Sequence, residues 1–243
     1  MMKLSDRLQL IADSIETGET MADIGTDHGF LPLYLIETGI SPRVIMCDIS
    51  GPSLAKAREA FAEADIIEGA DFREGNGLEV LEAGEVETVV IAGMGGILMT
   101  EIMGSDLKKT VSFHKYILQP RNNAGLLRYW LQNKGFQIEK NLLVREGKFI
   151  CEVIVAFAPK AAINSDIRPE ELSAAQEDPR WELPPGMQSE EAGLAREYAA
   201  LKIRQEEKKL RGLKKASEPD QEQIRLSESR IRYFDNREQE AGK

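Results

Sequence analysis

Residues 21–39 read MADIGTDHGFLPLYLIETG. A short apolar run is divided from a longer one by Gly25-Thr26-Asp27-His28-Gly29, and the longer run ends at Gly39. That pattern predicts a strand, a tight polar turn and a helix. Worked outward from this unit, the alternation continues. Residues 43–49 (RVIMCDI) predict a buried strand, and 52–64 a helix with Pro52 near its start. Residues 70–75 and 87–93 predict two more strands, 97–103 a helix and 115–120 a strand. Residues 123–135 predict an amphipathic helix closed by Gly135. Upstream, residues 5–15 place Leu8, Ile11 and Ile15 on one side of a helix. Apolar strands alternating with helices imply a parallel sheet covered on both faces.

Residues 136–158 (FQIEKNLLVREGKFICEVIVAFA) predict two strands around a Glu-Gly-Lys turn. A parallel α/β sheet finished by an antiparallel hairpin is the outline of the class I methyltransferase fold. A dehydrogenase domain, by contrast, keeps its sheet parallel. After Pro159 the composition changes. Pro169, Pro179, Pro184 and Pro185 punctuate a polar stretch with no strand signal. Two helices follow, over residues 189–216 and 220–239, with apolar spacing that suits a helical hairpin or short antiparallel coiled coil. The expected organisation is a domain over 1–160, a linker over 161–186 and a helical domain over 187–243.

The chain has 243 residues and a formal net charge of −10, with 42% hydrophobic residues, enough for a sizeable core. No apolar run is long enough to span a membrane, and the N-terminus lacks the apolar core of a signal peptide. Cys47 and Cys151 sit in strand-like runs and read as small buried residues of a reduced, cytoplasmic protein, not as a disulfide or a metal site. No metal, no membrane contact and a monomer are expected. The acidic average hides eight basic residues against three acids between residues 196 and 215. Arg196, Lys202, Arg204, Lys208, Lys209 and Arg211 belong to that stripe, which reads either as a solvated helix face or as a phosphate-binding surface.

In doubly wound sheets ligands bind beyond the carboxyl ends of the strands, at the point where strand order reverses. Four features fall at such ends. Asp23 and Gly25 close the first strand; an acid there holds an ammonium group, and glycine admits a ligand close to backbone. Asp48, with Ile49 beside it, closes the second and suits ribose hydroxyls. Asn76 and Gly77 follow the third, where an adenine edge would lie. Ala92, Gly93, Met94 and Gly95 close the fourth, beside the reacting group. A pyrophosphate loop would require small residues where this chain carries Asp27, and an aspartate facing a pyrophosphate is repelled. The constellation therefore favours S-adenosylmethionine (SAM) over NAD.

The segments MADIGTDHGFLPLYL, EGNGLEV, VVIAGMGGILM, YILQP and LLRYWLQNKGFQI, with LLVREGKFICEVIVA, resemble the TrmK family of bacterial tRNA (adenine(22)-N1)-methyltransferases. The likeness runs in order over roughly residues 3–157. It implies a Rossmann-like catalytic domain followed by a helical, coiled-coil domain, with SAM as cofactor and N1 of an adenine in the D-arm region of tRNA as target. It places Asp23, Gly25, Asp48, Asn76 and the run from Ala92 to Gly95 on the cofactor and active-site motifs, and Asp27 on the family's catalytic aspartate. Three departures stand out. Asn76 and Cys151 replace the family's usual aspartate and tyrosine, and the segment after Asp48 is about one residue short.

N1 of an adenine carries a free lone pair, so methylation there needs positioning and nearby negative charge more than a strong base. Asp27 then accepts from the exocyclic amine, unless it merely caps the following helix. His28 either orients the base or packs. Arg121, after the fifth strand, is a phosphate candidate whose bland alternative is a surface ion pair. Two other readings remain open from the residues: a SAM enzyme acting on a small molecule, a protein or another RNA, and a non-enzymatic RNA-binding scaffold on a relic SAM fold.

Overall fold

The computed structural model describes residues 2–66, 68–161, 171 and 177–241. Seven strands form one sheet in the order β3-β2-β1-β4-β5-β7-β6. They are β1 (Met21–Ile24), β2 (Val44–Asp48), β3 (Ala70–Glu74), β4 (Thr88–Met94), β5 (Lys115–Pro120), β6 (Gln137–Glu146) and β7 (Phe149–Phe157). The first five are mutually parallel, and β7 inserts antiparallel between β5 and β6. The chain leaves β1 toward β2 and returns through β4 on β1's other side, which opens a crevice at their carboxyl ends.

Period-two alternation sends neighbouring side chains to opposite layers. Ala22, Ile24, Val89 and Ile91 face one core, with Met99, Met103, Phe113 and Trp130. Met21, Met46 and Val90 face the other, with Ile11, Leu31, Leu35 and Phe61. Helices α1 (Asp6–Ala12), α2 (Phe30–Glu37) and α3 (Gly51–Glu63) supply the second layer; α4 (Gly96–Gly104), α5 (Leu107–Thr110) and α6 (Ala124–Asn133) supply the first. Each begins where the sequence offers a stop. Ser50, for example, caps α3 by accepting from Ser53 N, with a proline in its first turn.

Beyond the sheet come α7 (Pro179–Glu182), α8 (Leu194–Lys215) and α9 (Gln221–Ala241). The expected linker over 161–186 lies largely outside the described residues. Its described end holds α7, which lies so close to α6 that a Cβ on Gly125 would sit 3.0 Å from the Glu182 backbone nitrogen. The α8 helix starts at Leu194, five residues later than the sequence pattern suggested. Gly193 takes the left-handed conformation there (φ +81°), and Gln188 instead extends the sheet edge, accepting from Leu143 N at 2.7 Å and donating to Asn141 O at 2.8 Å. α8 and α9 pack side by side. Leu194, Tyr198, Ala199 and Phe234 join Leu143 of β6 and Leu183 in a third apolar cluster. Among the described residues no helix is long and apolar enough to cross a membrane.

Candidate active site

The β1 loop is fastened to β2 before it reaches the crevice. Gly25 N and Thr26 N both donate to Cys47 O, at 2.7 and 3.0 Å. The buried Thr26 hydroxyl donates to Asp23. Burial pushes the Asp23 carboxyl up to about 6, with Asp48 adding to the effect and Thr26 and Arg7 opposing it. A carboxylate removed from water and held above its ordinary range is poised for a cationic partner. Gly25 adopts φ +82°, and a Cβ there would lie 2.2 Å from Met94 Cε, so the β1 and β4 loops meet across a gap that only glycine leaves open.

Asp48 ends β2 and accepts from Ser50 N at 2.7 Å through one oxygen. Ile49, next to it, is 73% exposed. An isoleucine left in water at a strand end is a surface on which a flat apolar ring can rest. Asn76 lies beyond β3, its amide donating to Glu79 at 3.4 Å, and the buried Gly77 opens the 3-10 turn that follows. At the carboxyl end of β4 the register of the β4–β5 pair slips between Ala92 and Met94, which bulges Gly93 (φ +78°) out of line. A half-buried acid, two glycines at positive φ, a second strand-end acid and a bare aliphatic side chain thus lie at the carboxyl ends of three adjacent strands. These groups fit an adenosine bearing an amino acid. The turn between β1 and α2 carries Asp27 and His28 ahead of the capping Gly29, so a pyrophosphate placed there would face a carboxylate.

Asp27 stands apart from this cradle, with its side chain 67% exposed. It does not cap α2, since Gly29 occupies the cap position and no side chain bonds there. The Asp27 carboxylate lies 3.3 Å from His28 Nε2 and 3.4 Å from Lys56 Nζ. Such exposed pairs are worth about 0–1 kcal/mol, so Asp27 is steered but not locked. His28 stacks on Phe30 with ring centroids 5.1 Å apart and planes 9° from parallel.

Between β4 and β5 a relay appears that the sequence did not disclose. Gln119 Oε1 accepts from Gly93 N and from Arg7 Nη1, each at 3.1 Å. Arg7 reaches in from α1, and its guanidinium also lies 3.8 Å from Glu146. Arg121 accompanies the bulge, with its guanidinium 3.8 Å from where a Gly93 Cβ would be. Its side chain makes no hydrogen bond or ion pair among the described residues. Arg7, Gly93 and Arg121 belong to one wall of a cleft of about 790 Å³, and Tyr198, Lys202 and Gln205 of α8 belong to the other. Gln119 was detectable as an amide ending an otherwise apolar strand. Arg7 and Lys56 carry no local signal, because their partners lie 112 and 29 residues away.

The α8 stripe is less free than its charge suggests. Lys202 is half-buried at the seam, paired with Glu182. Arg196 pairs with Glu238 at 3.4 Å, Lys209 with Glu206 at 3.9 Å and Arg211 with Glu207 at 3.8 Å. Arg204 and Lys208 are exposed and make no hydrogen bond or ion pair among the described residues. Gly95 opens α4 in contact with the Asn122 side chain rather than in the α8 cleft.

A Rossmann-like sheet with an antiparallel β7 and its switch point between β1 and β4 defines the class I methyltransferase architecture. The chain belongs to the methyltransferase domain family, whose model matches residues 4–154. It is 34% identical over 157 residues to the tRNA (adenine(22)-N(1))-methyltransferase of Bacillus subtilis (strain 168). That match covers 65% of this chain and 66% of the relative's length. A Streptococcus pneumoniae protein solved in complex with S-adenosyl-L-methionine superposes with TM-score 0.73 at 25% identity, covering 97% of this chain and 99% of that one. The B. subtilis m1A22 tRNA methyltransferase TrmK shares the fold with TM-score 0.77 at 24% identity, over 98% of this chain and 99% of the other. The fold likeness thus takes in the helical region, which lies beyond the residues 4–154 that the family model matches.

Proposed function

We propose that the protein transfers a methyl group from SAM to N1 of an adenine in tRNA, at position 22 in the D-arm region. The observation that carries this reading is the pairing of a half-buried Asp23 between glycines with an exposed, uncapping Asp27 four residues on. One acid serves a cationic amino-acid cofactor, and the other faces the open side where a base can enter. The B. subtilis relative named as a tRNA (adenine(22)-N(1))-methyltransferase and the S. pneumoniae complex with S-adenosyl-L-methionine support it.

Asp23 would hold the cofactor's ammonium, Asp48 its ribose hydroxyls, and Ile49 and Asn76 its adenine. The Gly25, Gly77 and Gly93 backbones would lie alongside it, with Ala92 and Met94 at its reacting end. Bound SAM supplies an electrophilic methyl group beside the β4 loop. The target adenine brings the N1 lone pair, and its product is cationic. Asp27 accepts a hydrogen bond from the exocyclic amine, which raises electron density at N1 and stabilises the positive charge that develops. His28, stacked on Phe30 and beside Asp27, orients that carboxylate and offers an aromatic edge to the base. The Arg7–Gln119 relay fixes the Gly93 amide, so the β4 bulge holds its shape as the base enters. Since N1 is engaged in paired or stacked RNA, the nucleotide must be extruded into the site. Gly95 and Arg121 lie on the substrate side. Of the α8 stripe, Arg204, Lys208 and Lys215 make no ion pair among the described residues and are the cations available to phosphates.

The test is to incubate the protein with labelled SAM and tRNA lacking the modification, digest the RNA and identify the methylated nucleoside. N1-methyladenosine at position 22 is expected. Label in a different nucleoside, in protein or in a small molecule overturns the assignment.

A further inference from the structure

The hairpin of β6 and β7 projects past the sheet on the substrate side. Leu118 near the end of β5 pairs with Ile154, whereas the hairpin closes only at the pair Glu146 and Phe149. Phe149, at that tip, is 62% exposed and has no core to serve. Lys148 Nζ lies 5.3 Å from the ring centroid. Both residues line the cleft that contains Gly93 and Arg121.

The charges of this cleft are unevenly committed. Glu146 is engaged by Arg7, Glu182 by Lys202, and Glu152 by Arg128 and Tyr198. Every carboxylate in the lining therefore has a cation or donor of its own. Lys148 and Arg121 make no ion pair among the described residues. What remains is an exposed ring with Lys148 beside it and an uncommitted Arg121 in the same cleft as Gly93. An aromatic platform with cations to either side is the chemistry that holds unstacked nucleotides.

We propose that Phe149 stacks on an RNA base adjacent to the target adenine, with Lys148 and Arg121 on the neighbouring phosphates. The ring fills the place that the extruded adenine leaves in the stack, so the open form of the RNA is stabilised by protein. This inference rests on the tRNA-methylation reading above, and it adds a substrate-positioning residue to it.

The experiment compares wild type, Phe149→Ala and Phe149→Trp on tRNA transcripts, some carrying 2-aminopurine at the nucleotide 5′ or 3′ of the target. Base stacking on an aromatic side chain corresponds to roughly a tenfold effect or more. Phe149→Ala is expected to raise KM for tRNA about tenfold while leaving SAM affinity unchanged, and to abolish the 2-aminopurine signal seen on binding to wild type. Phe149→Trp restores both, which a merely structural residue would not require. Wild-type turnover with KM and the fluorescence signal unmoved by Phe149→Ala overturns this site alone. Absence of N1-methyladenosine with the wild-type protein overturns the function and this site with it.

Discussion

In the sheet, both layers close with apolar side chains: Ile24, Ile91 and Met99 on one face, Met46, Leu35 and Phe61 on the other. In the helical region the apolar cluster is small, and charge does much of the joining. Glu152 of β7, buried, accepts from Arg128 of α6 and from Tyr198 of α8. Glu206 of α8, also buried, accepts from Ser227 at 2.7 Å and from Arg230 at 3.0 Å across the helix pair. Buried ionic joints add little net stability when complete, but they penalise any arrangement that leaves one partner alone. They therefore favour a single docking geometry, which matters here because α8 supplies one wall of the cleft that contains Gly93 and Arg121.

The sharpest way to break that contrast is Glu152→Ala. Burial alone would raise the Glu152 carboxyl, but Arg128, Lys202 and the Tyr198 hydroxyl hold it below its ordinary range. Its removal strands the buried Arg128, at a cost of about 3–5 kcal/mol. For a chain of this size that corresponds to a melting-point drop of about 10 °C. A volume-conserving change in the sheet core, Met99→Leu, should cost less than about 1.5 kcal/mol. Thermal melts of both variants settle the matter, and equal shifts would mean the two regions are not built differently.

Next in size, Asp27→Ala is expected to lower kcat on tRNA about 100-fold, the range for losing one positioned polar group at a reacting centre. SAM affinity should stay within twofold, because Asp27 lies outside the cradle. Calorimetry and single-turnover kinetics separate the two effects. A variant that loses cofactor binding instead would place Asp27 on the wrong side of the comparison between the two acids.

Asp23 gives a smaller effect with a definite sign. Its folded-state carboxyl titrates at about 6, above the ordinary 3.8. In the cofactor-free protein it therefore favours folding below about pH 4, and that contribution is lost as pH rises through 6. Cofactor binding runs the other way, since an ammonium needs the carboxylate ionised. SAM affinity should fall by up to about tenfold per unit as pH drops below 6. Asp23→Asn should bind more weakly at pH 8 and show no such slope. A wild-type profile flat between pH 5 and 7 would remove Asp23 from ammonium binding.

How far the sequence disclosed this molecule depends on whether a feature is local. The strands, the final hairpin and the strand-end acids Asp23 and Asp48 follow from patterns within a few residues. Asp27 was ambiguous between cap and site until Gly29 was seen to hold the cap position. Arg7 and Gln119 meet only because the fold brings α1 beside β5. The Asn76 departure ends in a bond to Glu79, and Cys151 lines the cleft half-buried, with burial pushing its thiol up. The basic run of α8 misleads most. A sequence counts charges but does not name their partners, and Arg196, Lys202, Lys209 and Arg211 each face a carboxylate.

That distinction leads to the smallest expected effect. If RNA is met by uncommitted cations, the double change Arg204→Ala with Lys208→Ala should weaken tRNA binding a few-fold and make its salt dependence shallower by about one to two in slope. Arg196→Ala with Arg211→Ala removes the same formal charge but takes it from residues already neutralised by Glu238 and Glu207. It should move affinity and slope by less than half as much. Binding titrations at several salt concentrations compare the pairs at equal net charge. Equal slopes would show that the helix acts as a diffuse positive field, in which the carboxylate partners do not matter. Unequal slopes in the stated order would show that pairing within the helical region decides which part of the stripe reaches the phosphate backbone.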